Sequence, residues 1–279
     1  MSTVIEEKKS EWDSIKARQK VTWESGDFGQ VARIIVPIAE EFMSRLTLRR
    51  GLRVLDVACG TGNLAVIAAR NGCITSGLDI ASNLIAQARE RARQENLSID
   101  YTEGDAEALP YPDASFDLVV SMFGVMFAPR PDIIVRELLR VTKPGGLIAL
   151  ANWTPEGFLG KMFAVFKAHV TPPAGIPSPL EWGSEPIVRQ RFHSGVSDLR
   201  LTRRMGRMAL PYDAAGTVEF FRKYYGPTQR AFGSLGTEAQ SALRRDLEQL
   251  QSKHNVSTDP RITATPSEYL EIHVRREDA

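Results

Sequence analysis

Apolar residues along this chain fall into two textures, short unbroken runs and stripes at helical spacing. Runs near 53–58, 74–79, 98–102, 117–122 and 146–152 are rich in Val, Ile, Leu and Ala and bounded by Gly, Pro, Asp or Asn. Strands buried on both faces of a parallel sheet have this character. Between them, stretches near 62–71, 82–95 and 130–141 repeat an apolar residue every three or four positions, which predicts helices packed by one face. Strands alternating with helices in this way predict an open α/β sheet covered on both sides. A further helix after Asp105 would be short, because Pro110 and Pro112 interrupt it.

The flanks read differently. Residues 3–20 are polar and helical in period, with Val4, Ile5, Trp12 and Ile15 as scattered apolar points. A turn signal bearing two aromatics follows, Trp23-Glu24-Ser25-Gly26-Asp27-Phe28-Gly29. Then Val31, Ile34, Ile35, Ile38, Phe42 and Leu46 predict a single helix over about 30–46. After Trp153 come Pro155, Pro172, Pro173, Pro177, Pro179 and Pro186, with an apolar helix near 158–170. Residues 199–208 alternate as a strand does. Helices are predicted near 213–225 and 236–254, the second with a Leu243, Leu247, Leu250 stripe. Residues 269–274 alternate cleanly, the pattern of a half-exposed antiparallel strand.

The 279 residues, 43% hydrophobic and 25% charged, are ordinary for a globular protein. Lys plus Arg (35) balances Asp plus Glu (34), so no global field draws nucleic acid or an acidic membrane. A local basic stretch, Arg200, Arg203, Arg204 and Arg207, lacks interleaved aromatics. It reads as a solvated strand face, with an acidic or phosphorylated ligand as the sharper alternative. Cys59 and Cys73 fit no zinc or redox spacing. No window nears the roughly 18 apolar residues of a membrane span. The charged amino end lacks a signal core, so a cytoplasmic protein is expected.

Chemistry concentrates at Val54-Leu55-Asp56-Val57-Ala58-Cys59-Gly60-Thr61-Gly62. A strand ends at two glycines and a helix pattern starts at once, the unit that binds a nucleotide in α/β proteins. Asp56 lies at the carboxyl end of the first strand, where open sheets bind ligands. Asp79 closes the second, where an acid would hold a ribose diol. The turn lacks the third glycine of dinucleotide enzymes, since position 65 is alanine.

The wording Asp56-x-Ala58-Cys59-Gly60-Thr61-Gly62 resembles the first motif of class I S-adenosylmethionine-dependent methyltransferases, in the small-molecule branch with the ubiquinone and menaquinone methylases. Further pieces follow in family order: Asp79-Ile80, Gly104-Asp105-Ala106-Glu107-Ala108-Leu109-Pro110, Phe116-Asp117-Leu118-Val119-Val120-Ser121, and Arg136-Glu137-x-x-Arg140-Val141-x-Lys143-Pro144-Gly145-Gly146. The resemblance spans about 50–153. It implies a Rossmann-like, seven-stranded, mostly parallel sheet with helices on both faces and a helical lid. The implied division is 1–46 as N-terminal lid, 47–153 as the S-adenosylmethionine-binding core, and 154–279 as a substrate-covering segment plus the last strands.

By the same resemblance Asp56 organises the turn and faces the methionine ammonium, and Gly60 and Gly62 bring backbone amides to the cofactor. Asp79 and Ile80 serve the ribose, and Asp105 and Ala106 the adenine. Ser121, Met122 and Phe123 line the methionine side, while Trp23 and Asp27 close over the cofactor. Ala58 replaces a glycine common in relatives, for which a slightly altered fit is expected. Methyl transfer from a sulfonium is an in-line displacement that needs alignment and exclusion of water, so no metal is expected. His169 and His193, in the covering segment, are the weak candidates for a base. The lid aromatics point to an apolar or ring-bearing small-molecule acceptor, or else form the lid's own core. The alternatives are a non-catalytic cofactor-binding regulatory or partner subunit and, further off, an NAD-dependent dehydrogenase. The atom methylated and the oligomeric state, a homodimer included, stay open.

Overall fold

The computed structural model describes residues 2–171 and 175–278, with side chains from residue 11 onward. The side chains of Val4 and Ile5, together with Pro172 and Pro173, lie outside the described residues. Three helices, α1 (Ser2–Glu24), α2 (Phe28–Ile34) and α3 (Val36–Ser44), precede β1 (Arg53–Val57). There follow α4 (Asn63–Arg70), β2 (Ile74–Asp79), α5 (Ser82–Gln94), β3 (Ile99–Glu103), β4 (Phe116–Met122), α6 (Pro131–Val141) and β5 (Thr142–Trp153). The remainder is α7 (Phe158–His169), α8 (Glu185–Arg191), β6 (Val196–Leu210), α9 (Ala214–Tyr224), α10 (Gly226–Gly233), α11 (Thr237–His254) and β7 (Thr263–Arg276).

The seven strands form one sheet in the order β3-β2-β1-β4-β5-β7-β6. β7 runs antiparallel between β5 and β6, and the other neighbours are parallel. This is the expected seven-stranded, mostly parallel fold. The chain winds outward from β1 to β3 and then returns to place β4 on the other side of β1. That reversal opens a crevice at the carboxyl ends of β1 and β4, the place where such sheets bind ligands. The core strands read as apolar runs because both faces are covered: Val54, Leu55 and Val57 of β1 and Val119 and Val120 of β4 are fully buried. Helix α6 turns Ile134, Val135, Leu138 and Val141 onto one face of the sheet, and α3 turns Ile38, Ala39, Phe42 and Met43 inward.

The helix expected over 30–46 is two helices. Pro37 lacks the N–H that would bond the carbonyl of Arg33, and its ring would crowd that carbonyl, so the helix breaks at Ile35 and restarts as α3. Asp27 caps α2, its carboxylate accepting from the amide of Gly29 at 3.1 Å. The short helix expected directly after Asp105 is absent, and residues 105–115 run as turns and bends into β4. Helices α8 and α10 were not legible, being only 7 and 8 residues long. Of the helices between β6 and β7, α11 packs on α7 and α9, and α10 on α9 and α1; they share the main apolar cluster through Val218, Phe232, Leu243 and Leu247. The basic stretch on β6 is internally neutralised in part: Arg203 pairs with Glu156, Glu185 and Glu268, and Arg204 with Glu271. Among the described residues no helix is long and apolar enough to cross a membrane.

Candidate active site

A cleft of about 1000 Å³, its open mouth included, lies at the carboxyl ends of β1, β2 and β4. Of the residues expected in a site, Trp23, Asp56, Ala58, Gly60, Asp79, Ile80, Asp105, Ala106, Met122 and Phe123 line it. The turn after β1 is held by two carboxylates. Asp56 accepts from the amide of Ala65 at 3.0 Å, which ties the strand end to the first turn of α4. Asp79 accepts from the amides of Gly60 at 2.8 Å and Ala81 at 2.9 Å. Both acids are buried. Burial pushes the Asp56 carboxyl up to about 8 and neighbouring Asp79 adds to it, against the Ala65 hydrogen bond. Asp79 is raised for the same reason, opposed by backbone amides of Ala81, Gly60 and Ile80.

Three residues of the turn take left-handed backbone: Ala58 at φ 55°, Gly60 at 54° and Gly62 at 78°. A Cβ at Gly60 would meet only Phe28, 3.5 Å away, so the glycine leaves the cleft open there. Ala58 does fit despite its methyl, because the residue opposite is Gly124, where a Cβ would lie 2.7 Å from that of Ala58. Phe123 also has positive φ, 55°, and its ring stacks on Trp153 at 3.5 Å. Strained backbone of this kind gathers at ligand sites.

Gly62 stands off the cleft wall, and its reason is steric. A Cβ there would lie 2.1 Å from the Tyr101 hydroxyl. We expect Gly62→Ala to cost about 2–4 kcal/mol, from positive φ and the clash together. Thermal melting checks this, and an unchanged midpoint would show that Tyr101 can move aside.

Other expected residues also lie away from the cleft. Ser121 is fully buried, and its hydroxyl accepts from the amide of Val125 at 3.2 Å. The Asp27 carboxylate is turned to α2 and to Gln87, 3.3 Å away. His169 sits 2.7 Å from Asp246, and His193 meets the carbonyl of Gln190 at 2.9 Å; neither lines the cleft. His169 is held between α7 and α11, and His193 by the end of α8. The aromatics of residues 154–265 divide. Phe158, Trp182 and Phe192 are core, whereas Phe163 stacks toward Phe127 of the cleft wall.

Several lining residues had no signal in the sequence as site residues: Lys16 and Gln19 of α1, Ala32 of α2 and Ile35 at its end, and Val125, Phe127, Ala128 and Pro129 after β4. Helix α1 crosses the mouth of the cleft. Lys16 bonds Asp105 at 2.5 Å and Glu107 at 2.7 Å, Lys20 pairs with Glu103, and Glu24 accepts from the Ser82 hydroxyl at 2.7 Å. The four-residue spacing of Lys16, Lys20 and Glu24 was the available clue. Trp23 packs edge-on against Phe28, Phe127 and Tyr225, and the turn at Gly26 bridges to Tyr225 at the α9–α10 junction. Among the described residues no group of three or more His, Cys, Asp or Glu could hold a metal ion.

Residues 55–150 match the family model described as methyltransferase domain. The chain is 38% identical over 232 residues to an uncharacterized protein of Mycobacterium tuberculosis, covering 81% of this chain and 83% of that one. It is 28% identical over 213 residues to the malonyl-[acyl-carrier protein] O-methyltransferase of Enterobacter lignolyticus, covering 76% of this chain and 78% of the other. Its fold is similar to the crystal structure of the YcgJ protein of Bacillus subtilis, with a TM-score of 0.57 at 16% identity over 86% of this chain and 98% of that one. The chain belongs to the class I S-adenosylmethionine-dependent methyltransferases. It is an enzyme that moves a methyl group from that cofactor to a small molecule, and nothing favours the dehydrogenase or the non-catalytic alternative.

Proposed function

We propose that the cleft holds S-adenosylmethionine along the carboxyl edge of β1, β2 and β4 and methylates an apolar or ring-bearing acceptor brought in under the lid. One observation carries this reading: Asp56 and Asp79 are buried side by side with no Lys or Arg among the groups that act on them. Two desolvated carboxylates without a cation call for a ligand rich in positive charge and donors. The cofactor has an ammonium for Asp56, a ribose diol for Asp79 and Ile80, and an exocyclic amine for Asp105, with the Ala106 amide beside it. Gly60 presents open backbone, and Met122 and Phe123 flank the methionine side. Gly62, Ser121 and Asp27 act one step back, by shaping the turn, the strand end and α2.

When bound, the cofactor supplies an electrophilic methyl on a sulfonium. The protein's part is to hold the acceptor in line and keep water out. Trp23, Phe28, Phe127 and Phe123 give that end of the cleft an aromatic wall, and Gln19 donates to the carbonyl of Phe127 at 2.8 Å, tying α1 to the loop after β4. The ionisable lining residues are Lys16, Asp56, Cys59, Asp79 and Asp105. All belong to the part of the cleft assigned to the cofactor, so the protein's contribution to catalysis rests on alignment rather than on a histidine base. Residues 1–46 serve as lid, 47–153 as cofactor core and 154–279 as cover with the last strands. Free, buried Cys59 and Cys73 suit a reducing cytoplasm.

Turnover of methyl-labelled cofactor with a library of small acids, phenols and amines tests the function directly. Transfer to none of them, despite tight cofactor binding, would sink the proposed acceptor class. Removal of residues 1–29 should leave the sheet folded, since every strand lies later, yet weaken S-adenosylhomocysteine binding at least about tenfold through the lost cover. Calorimetry on the truncated protein checks this, and full affinity would refute the lid.

A further inference from the structure

The ion pairs at the adenine end form a chain that the cofactor reading does not use. Glu107 is the anchor: its side chain is 1% exposed. It accepts from the amide of Arg130 at 2.7 Å, from the Arg130 guanidinium at 2.7 Å and from Lys16 at 2.7 Å. Held in this way, the Lys16 ammonium, on a side chain 13% exposed, reaches one oxygen of Asp105 at 2.5 Å, while the other oxygen accepts from the amide of Glu107 at 2.8 Å. Each oxygen of Asp105 therefore has a fixed donor, which sets the rotation of the carboxylate before any ligand arrives. An ionised carboxylate offers about four acceptor sites, so two remain for a ligand.

We propose that Lys16 is a positioning residue for the cofactor's purine: by fixing Asp105 from the lid helix, it aims the free lone pairs at an exocyclic amine and makes closure of α1 respond to a 6-amino purine. This rests on the assignment of Asp105 to adenine. A carboxylate already oriented by neighbouring donors binds its partner with less reorganisation than a free one. The competing account is that Lys16 only fastens α1 to the core. The two differ in what they predict for a ligand without the amine.

The test measures binding of S-adenosylhomocysteine and of its analogue bearing hydrogen in place of the exocyclic amine. It uses the full-length wild type, Lys16→Met and Lys16→Arg, each checked for folding by circular dichroism. The wild type should favour the amine by about tenfold, the worth of a charge-assisted hydrogen bond. Lys16→Met should lose about five- to tenfold on S-adenosylhomocysteine but less than about twofold on the analogue, and Lys16→Arg should keep most of the preference. Equal losses on both ligands, or tighter binding of S-adenosylhomocysteine by Lys16→Met, would overturn the proposal. Should Lys16→Met not fold, loss of the preference in Lys16→Arg would overturn it as well. A wild type that binds neither ligand would instead overturn the cofactor reading itself, so the two failures are distinguishable.

Discussion

Asp79→Ala should weaken cofactor binding by about 1–3 kcal/mol, roughly five- to 150-fold, the size of hydrogen bonds lost from a charged acceptor. Two effects act together. The carboxylate would be missing from the ribose hydroxyls, and the Gly60 amide, now 2.8 Å from Asp79, would lose the partner that keeps the turn in shape. Stability should move less than affinity. The orphaned amides of Gly60 and Ala81 destabilise, but the substitution also removes a carboxylate that burial already disfavours. These contributions oppose each other in the fold and add in the complex. Isothermal titration with S-adenosylhomocysteine reads the first and thermal melting the second. An affinity within twofold of wild type would remove Asp79 from the site.

The second large effect is in pH. The Asp56 carboxyl stands at about 8 in the cofactor-free cleft, through burial first and Asp79 second. At pH 7 it is mostly protonated. An ammonium set against it favours the carboxylate, so binding should release a proton, and affinity should fall up to about tenfold per pH unit below 8. Titrations in buffers of different ionisation enthalpy will count that proton. Asp56→Asn should flatten the profile, and Asp79→Ala should move its midpoint down, because one raising influence is gone. A flat wild-type profile from pH 6 to 9 would contradict the pairing with an ammonium.

The same shift has a sign for folding. Asp56 unfolded titrates near 3.9 and folded near 8, so the folded state holds more protons between those values. Its contribution is complete below about pH 4 and is lost as pH rises toward 8. Asp79, also raised, has the same sign. Carboxylates lowered by their partners, such as Glu24, Asp117 and Glu137, contribute oppositely, but fully so above about pH 5. His273, lowered by burial, adds its share as pH rises to about 7. From pH 7 to 9 the cofactor-free protein should therefore lose stability, and added S-adenosylhomocysteine should offset more of that loss at the upper end.

What was legible in the sequence was what local chemistry dictates. Val54 to Val57 must be buried on both faces, Gly60 and Gly62 must supply positive φ, and Asp56 and Asp79 must end their strands, so the sheet and the acid-lined edge of the cleft could be read directly. The break at Pro37 was equally local, and a strong apolar stripe hid it. In the flanking segments α7, α9 and α11 were read from their apolar spacing, whereas α8 and α10 escaped because 7 and 8 residues carry too few turns to show a period.

Tertiary structure alone decided which of the nominated groups face the cleft. Asp27 and Ser121 have the right chemistry, yet nearby amides bind them and turn them from the cleft. His169 follows α7 to Asp246 on α11. Ala58 is tolerated because Gly124, far along the chain, leaves room for its methyl. Lys16 reaches Asp105 across 89 positions of sequence, and no periodicity in α1 names that partner. Glycine geometry and strand burial are properties of a residue and its immediate neighbours, so the sequence carries them. Which carboxylate a lid lysine finds depends on where the whole sheet puts it, and only the folded chain contains that information.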